Sequence, residues 1–85
     1  MTKQANQTKQ RKLYLKVKNT EHYKKIKNDL FKNIYQYTGN DCVIIYNEQE
    51  KANMVLPNKN WVNIGSENLI NNLIALLGDD NIAIR

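Results

Sequence analysis

Few residues in this chain are of the kinds that perform catalysis or bind metals. The one histidine, His22, opens a lysine-rich stretch, and the one cysteine, Cys42, lies inside an apolar run. Nucleophilic catalysis needs a serine or cysteine beside an oriented base, and the sequence indicates no such pair. Asp79 and Asp80 are adjacent in a predicted turn, whereas a metal site needs ligands that converge on one point. We therefore expect no catalytic residue and no metal site, and we interpret Cys42 as a small buried hydrophobic residue.

The placement of the glycines argues against a nucleotide cofactor. Gly39, Gly65 and Gly78 all fall at predicted helix boundaries. None of them belongs to a glycine-rich loop of the kind that holds phosphate groups. We therefore expect no cofactor and no small-molecule substrate.

Basic residues are concentrated in the first third of the chain. Residues 1–32 contain ten Lys and Arg against two acidic residues, whereas residues 33–85 contain three against six. One interpretation is an anionic partner for the first third. The other is that the lysines form a solvated face, and that their number partly reflects the base composition of the gene.

The cations of this region, with one tyrosine, are the candidate contacts for nucleic acid or an acidic partner. Tyr14, Lys16 and Lys18 would project from the uncovered face of a strand, where a ring stacks on bases and lysines neutralise phosphates. Against this, the partner strand at residues 51–55 lacks the aromatic residues of an RNA-recognition motif. The candidate contacts are Lys9, Arg11, Lys12, Tyr14, Lys16, Lys18, Lys24 and Lys25.

Apolar spacing predicts the first strand and the first helix. Apolar residues at 13, 15 and 17 alternate with polar ones, which is typical of a half-buried strand. Asn19 and Thr20 then provide a helix cap, followed by apolar residues at intervals of three and four. We predict that this helix ends at Gly39 and Asn40, since both residue types tolerate the left-handed conformation of a helix end.

The rest of the chain predicts further strands and one more helix. The apolar run at residues 42–46 predicts a central strand, and alternation at residues 51–56 predicts the second strand of a hairpin. Residues 61–64 are predicted as a short strand or extended segment, ahead of a helix capped by Ser66. A final short strand is predicted at residues 81–85.

These elements predict an α+β fold in the order β-α-β-β-(β)-α-β. Each helix has one apolar stripe and the first strand has one apolar face, so both helices should pack on one side of a single sheet. This is a two-layer sandwich, ferredoxin-like in outline. We predict one domain over residues 12–85, preceded by a flexible basic leader over residues 1–11. The predicted core is Leu13, Leu15, Val17, Ile26, Leu30, Ile34, Val43, Ile45, Met54, Trp61, Leu69, Leu73 and Leu77.

Hydropathy predicts a cytoplasmic chain that makes no membrane contact. The longest apolar runs, residues 42–46 and 73–77, have five residues each. A membrane-spanning helix needs roughly 20. The polar, basic N-terminus lacks the apolar segment of a secretory signal, and a single cysteine agrees with a reducing compartment.

Several segments together carry a resemblance to a known family. They are residues 13–17 (LYLKV), the helix with Ile26 and Leu30, and residues 39–41 (GND), 43–46 (VIIY), 60–78 (NWVNIGSENLINNLIALLG) and 79–85 (DDNIAIR). In combination they resemble the C-terminal domain of the DnaE-type alpha subunit of bacterial replicative DNA polymerase III. The resemblance covers residues 12–85, with Gly65 and Cys42 standing where that family commonly has proline.

The resemblance implies a role in DNA replication without chemistry. In that family the C-terminal region contacts the tau subunit of the clamp loader, which tethers the polymerase to the replisome. The chain would then be a non-catalytic interaction domain, either of a polymerase or as a free-standing small protein. No single residue transfers from the family as the tau contact. The alternative is a small basic protein that binds single-stranded DNA or RNA through an open sheet face and the N-terminal arm.

Overall fold

The first strand, β1 (Lys12–Val17), follows the predicted alternation of apolar and polar residues. The computed structural model describes residues 11–85. Leu13, Leu15 and Val17 point to one side of β1 and are almost completely buried. Because successive side chains of a strand point to opposite faces, the residues between them lie on the other side of the sheet.

Two helices and three more strands follow β1. They are α1 (Thr20–Gln36), β2 (Thr38–Asn47), β3 (Ala52–Val55), α2 (Glu67–Leu77) and β4 (Ile82–Ile84), with short 3-10 turns at Asn58–Asn60 and Asp79–Asn81.

The strands form one mixed sheet in the order β3-β2-β1-β4. β1 pairs in parallel with β2, while β4 pairs antiparallel with β1 and β3 pairs antiparallel with β2. The buried residues of both helices join the inward residues of β1 in one core, so both helices lie on the same face of the sheet. The α+β class and its two-layer outline are confirmed. Within the ferredoxin-like outline, β1 and β2 are direct neighbours in the sheet.

Both helices begin at the predicted caps. The side-chain oxygen of Asn19 accepts a hydrogen bond from the His22 N–H at 2.8 Å, and Ser66 Oγ accepts one from the Leu69 N–H at 3.4 Å. Each bond satisfies a donor that has no partner within the first helical turn. No helix within residues 11–85 is long and apolar enough to cross a bilayer.

The predicted end of α1 is wrong, because Gly39 serves a different purpose. α1 ends at Gln36, and β2 already begins at Thr38. The Gly39 N–H donates to the Trp61 carbonyl at 3.1 Å. A Cβ at position 39 would lie 2.7 Å from backbone atoms of Val62 and Asn63. Glycine is therefore needed for the close approach of a second backbone and does not end the helix.

The segment that approaches Gly39 is the predicted extended segment around Val62. Val62 forms isolated antiparallel bridges with Thr38 and Asp41 and is fully buried. The Asp41 carboxylate accepts a hydrogen bond from the Ile64 N–H at 2.9 Å. These contacts hold the segment that precedes α2 against the first residues of β2. The predicted extended conformation is confirmed at Val62, the one residue of the segment that pairs with β2.

The predicted core is confirmed except at two positions. Met54 is 43% exposed and Trp61 is only partly buried. Met54 lies on β3, the outermost strand, where the helices give little cover because they pack mainly over β1, β2 and β4. Leu56, just after β3, is buried in its place, and its carbonyl accepts a hydrogen bond from the Trp61 indole at 3.0 Å. Cys42 is buried and forms no disulfide, as predicted.

We predict that Gly39→Ala destabilises the domain by about 1–3 kcal/mol, because the new methyl group meets backbone that must move. Gly65→Ala is the matched control: its new methyl group would meet side-chain atoms and no backbone, namely Asn63 Oδ1 at 3.1 Å and Arg11 Nη2 at 4.0 Å. The control should change stability by less than about 1 kcal/mol. Urea unfolding of both variants is the measurement, and equal midpoints would contradict this role of Gly39.

Candidate functional site

The sheet face opposite the helices carries the candidate site, which we call the open face. It is formed by the outward residues of all four strands. In the register, Tyr14 lies between Ala83 of β4 and Ile44 of β2, and Ile44 lies beside Val55 of β3. Paired residues share a face of the sheet, so these side chains form one apolar and aromatic row.

A second row runs beside the first and is more polar. Lys16 pairs with Tyr46, and Tyr46 pairs with Asn53. The two tyrosines therefore stand on neighbouring strands, two residue pairs apart in the register, which places them in adjacent rows of the open face. With residues of β4 and of the turn before it, they line a hollow of about 380 Å³. The lining residues are Tyr14, Lys16, Tyr46, Asn53, Asp80, Asn81, Ile82, Ala83 and Arg85.

Arg85 is held across one wall of the hollow. Its guanidinium carbon lies 5.4 Å from the centroid of the Tyr14 ring, within the range of a cation–π interaction. Its backbone exchanges hydrogen bonds with Lys12, at 2.8 and 2.9 Å. The Arg85 backbone is thus fixed by the sheet, and its side chain lines the hollow beside the Tyr14 ring.

The charges of the open face are nearly balanced. Lys16 Nζ lies 3.8 Å from a carboxylate oxygen of Glu48, and Asp80 lines the same hollow as Arg85. A face with tyrosines, an arginine and few uncompensated charges resembles the centre of a protein–protein interface. Strands of nucleic acid instead require a surplus of positive charge along the backbone path.

The predicted contact residues divide into separate groups. Tyr14 and Lys16 lie together on the open face. Lys18 follows the end of β1 and lies with Lys24 and Lys25 around a shallow surface at the start of α1. Lys18 thus lies just outside β1 and does not line the hollow that Tyr14 and Lys16 share.

Two further predicted contacts, Arg11 and Lys12, lie at the start of β1. Arg11 Nη2 is 3.9 Å from the Asp41 carboxylate, so part of its charge is compensated within the domain. The Lys12 side chain is exposed at the beginning of β1. Lys9 lies outside the described residues.

Sequence reasoning missed Tyr46, Arg85 and Asn53 as members of the site. Tyr46 ends a run that is apolar on both faces, so its pattern does not tell which side faces the helices. Arg85 is distant from Tyr14 in sequence, and only the antiparallel pairing of β4 with β1 brings them together.

His22 has a structural position at the start of α1. Its Nδ1 accepts a hydrogen bond from the Lys18 N–H at 3.0 Å. Within residues 11–85, no three His, Cys, Asp or Glu side chains come together as metal ligands would.

A second, smaller groove lies on the helix side of the sheet, between β3 and the first turns of α1. It has a volume of about 200 Å³, and Tyr23, Ile45 and Met54 supply much of its apolar lining. Burial raises the pKa of the Tyr23 hydroxyl above its usual value of 10.0, because the charged phenolate is poorly solvated there. Lys27 Nζ lies 6.0 Å from the centroid of the same ring.

Tyr23 should make stability fall at high pH. Its pKa is higher in the folded than in the unfolded state, so its contribution is complete below about pH 10 and is lost as the pH rises further. We predict that Tyr23→Phe flattens this decline, whereas Tyr35→Phe, at a residue 63% exposed, does not. Urea unfolding near pH 9 and near pH 11 is the measurement. Equal pH dependence of Tyr23→Phe and the unsubstituted chain would contradict it.

Comparison with known proteins identifies no relative: no family model, no curated protein and no solved structure matches this chain.

Proposed function

We propose that this chain is a non-catalytic interaction domain of DNA replication, of the kind found at the C-terminus of the polymerase III alpha subunit. Its partner would be the tau-type subunit of the clamp loader. Two lines support the proposal. The resemblance extends over residues 12–85. The open face has the composition of a protein-binding surface, and this observation carries the proposal.

The open face offers apolar area that a partner would bury. Val55 is 59% exposed, and the rings of Tyr14 and Tyr46 are partly exposed beside it. Removing apolar surface from water contributes about 25 cal/mol per Å², a gain that must exceed the cost of association before it appears as affinity. Ile44, in the same row, is already buried within the domain and adds little to the area that a partner would cover.

Arg85 would provide specificity. Tyrosine and arginine are the residues that most often dominate protein–protein binding energies. A guanidinium stacked on a ring loses little freedom on binding, and it pairs with a carboxylate through two parallel hydrogen bonds. We therefore expect the tau segment that binds here to place an acidic residue beside Arg85. Its apolar residues would cover the row of side chains that runs from Tyr14 to Val55.

A single-stranded nucleic-acid-binding protein is the second candidate function. The observation that favours it is the hollow that brings Tyr14 and Tyr46 together with Lys16 and Arg85, since bases stack on tyrosine rings. The balanced charge of that hollow argues against it, because Glu48 and Asp80 offset the two cations. The denser cluster of lysines lies away from both rings, at the start of α1.

A replication role would place the chain in the cytoplasm. The buried, unpaired thiol of Cys42 is compatible with that compartment, where thiols stay reduced.

The two candidate functions should separate by their salt dependence. We expect the C-terminal part of a clamp-loader tau subunit to bind with little change in affinity when salt rises fivefold. Binding of single-stranded DNA that neutralises three phosphates would weaken by about thirtyfold over the same change. Parallel NMR titrations of the isotope-labelled chain, at both salt concentrations, measure this. Salt-sensitive shifts with DNA alone would reject the proposal in favour of the second candidate.

Variants of the open face should identify the contact. We predict that Tyr46→Ala weakens tau binding by about thirtyfold, the loss expected when a central aromatic contact of an interface is removed. Tyr35→Ala is the matched control, because Tyr35 is an exposed tyrosine on α1, away from the open face. Titration calorimetry gives the affinities, and the NMR spectra of the variants verify that they remain folded. Equal affinities of the two variants would exclude the open face as the tau contact.

A further inference from the structure

The outer strand β3 has an unprotected edge. β3 pairs with β2 on one side and forms the border of the sheet on the other. All its residues are exposed, and Ala52-Asn53-Met54-Val55 contains neither charge nor proline. Edge strands usually carry such residues, because an open row of backbone donors and acceptors otherwise pairs with another strand. The opposite edge is better protected, since β4 is only three residues long and has Asp79, Asp80 and Arg85 at its ends.

The backbone groups that point outward from this edge can be identified. The Leu56 N–H donates to the Val43 carbonyl of β2 at 2.9 Å. Backbone direction alternates along a strand, so the N–H and C=O of Met54 also point to β2. Those of Asn53 and Val55 therefore point outward, to the side where no strand of residues 11–85 lies beside β3.

Apolar side chains accompany these groups on both faces. Val55 is 59% exposed on the open face. Met54 is 43% exposed on the helix side, where it borders the groove with Tyr23 and Ile45. A strand added to this edge would gain backbone hydrogen bonds and would cover apolar surface above and below.

We propose that a second copy of this chain occupies the edge, with the two β3 strands antiparallel about a two-fold axis through Met54. The backbone N–H and C=O of Asn53 then form hydrogen bonds with those of Val55 in the second copy. The same pair of hydrogen bonds forms between Val55 of the first copy and Asn53 of the second. The two Met54 side chains meet on the helix side, and the two sheets become one continuous sheet.

Self-complementarity argues for a second copy as the occupant. In a two-fold interface a residue near the axis contacts its own copy, so a charged residue there would be repelled. β3 contains no charged residue. Of the flanking charges, Glu50 and Lys51 precede the strand and Lys59 follows it, while Glu48 already lies beside Lys16. In the antiparallel register, Glu50 of one copy approaches Lys59 of the other.

Cysteine crosslinking tests the register directly. Met54 on the axis would lie about 4.5 Å from its copy between Cα atoms, the spacing of a non-hydrogen-bonded pair. Disulfides form at roughly 4.4–6.8 Å. Ala52 is the matched control on the same face, because its Cα atoms would be about 14 Å apart in this register. We expect Met54→Cys to form a covalent dimer under mild oxidation and Ala52→Cys to stay monomeric. Equal yields of the two variants, or none, would overturn the register.

Self-association without a crosslink is the second measurement. Sedimentation of the full chain should show a mass that rises from 10.0 kDa toward twice that value with concentration. Met54→Lys should raise the concentration at half-dimerisation by tenfold or more, whereas Tyr35→Lys on α1 should leave it unchanged. A mass that stays at 10.0 kDa up to millimolar concentration would overturn the proposal and leave the edge to a strand of another protein. Met54 is not part of the open face, so Met54→Lys leaves the proposed tau contact intact, and failure of one proposal does not imply failure of the other.

Discussion

The structure depends on one strand that is bonded on both edges and covered on one face. β1 pairs with β2 on one side and with β4 on the other. Its inward residues lie under both helices, where Leu13 and Leu15 have no exposed surface. Every other element is positioned by this strand: α1 links it to its parallel neighbour, and α2 leads to its antiparallel one. The open face stays uncovered for the same reason, because both α-helices of residues 11–85 pack on the other side of the sheet.

A second constraint fixes the entry to α2. The extended segment at Val62 is fastened to the first residues of β2 by backbone bonds at Gly39 and by the Asp41 carboxylate. This junction explains why β2 begins earlier than its apolar run: its first residues pair with the segment around Val62, while β1 begins to pair with it only at Cys42. The position at which the chain enters α2 is thus fixed by contacts with β2, independently of the contacts between the two helices.

Much of this fold could be predicted from the sequence, because local spacing determines it. Alternation in β1, the caps at Asn19 and Ser66 and the apolar stripes of both helices depend on neighbouring residues alone. The errors arise where a contact with a distant segment determines the role of a residue. From the sequence Gly39 is typical of a helix end, but in the structure it allows the backbone around Val62 to pack closely. Met54 has the hydropathy of a core residue, but the sheet order places it on an edge strand. Tyr46 and Arg85 join Tyr14 only through strand register, which hydropathy does not encode.

The pairing of β1 with β4 also places the two ends of the folded region side by side. Lys12 and Arg85 exchange both backbone hydrogen bonds, so the chain enters and leaves the domain at neighbouring positions on one side of the sheet. A domain built in this way can be inserted into a surface loop of a larger protein without stretching that loop. It also lends itself to circular permutation, since a short linker would join Lys12 to Arg85 while new ends open in the turn between β2 and β3. The pairing that stacks Arg85 on Tyr14 therefore allows the domain to be transplanted into another protein without disturbing its open face.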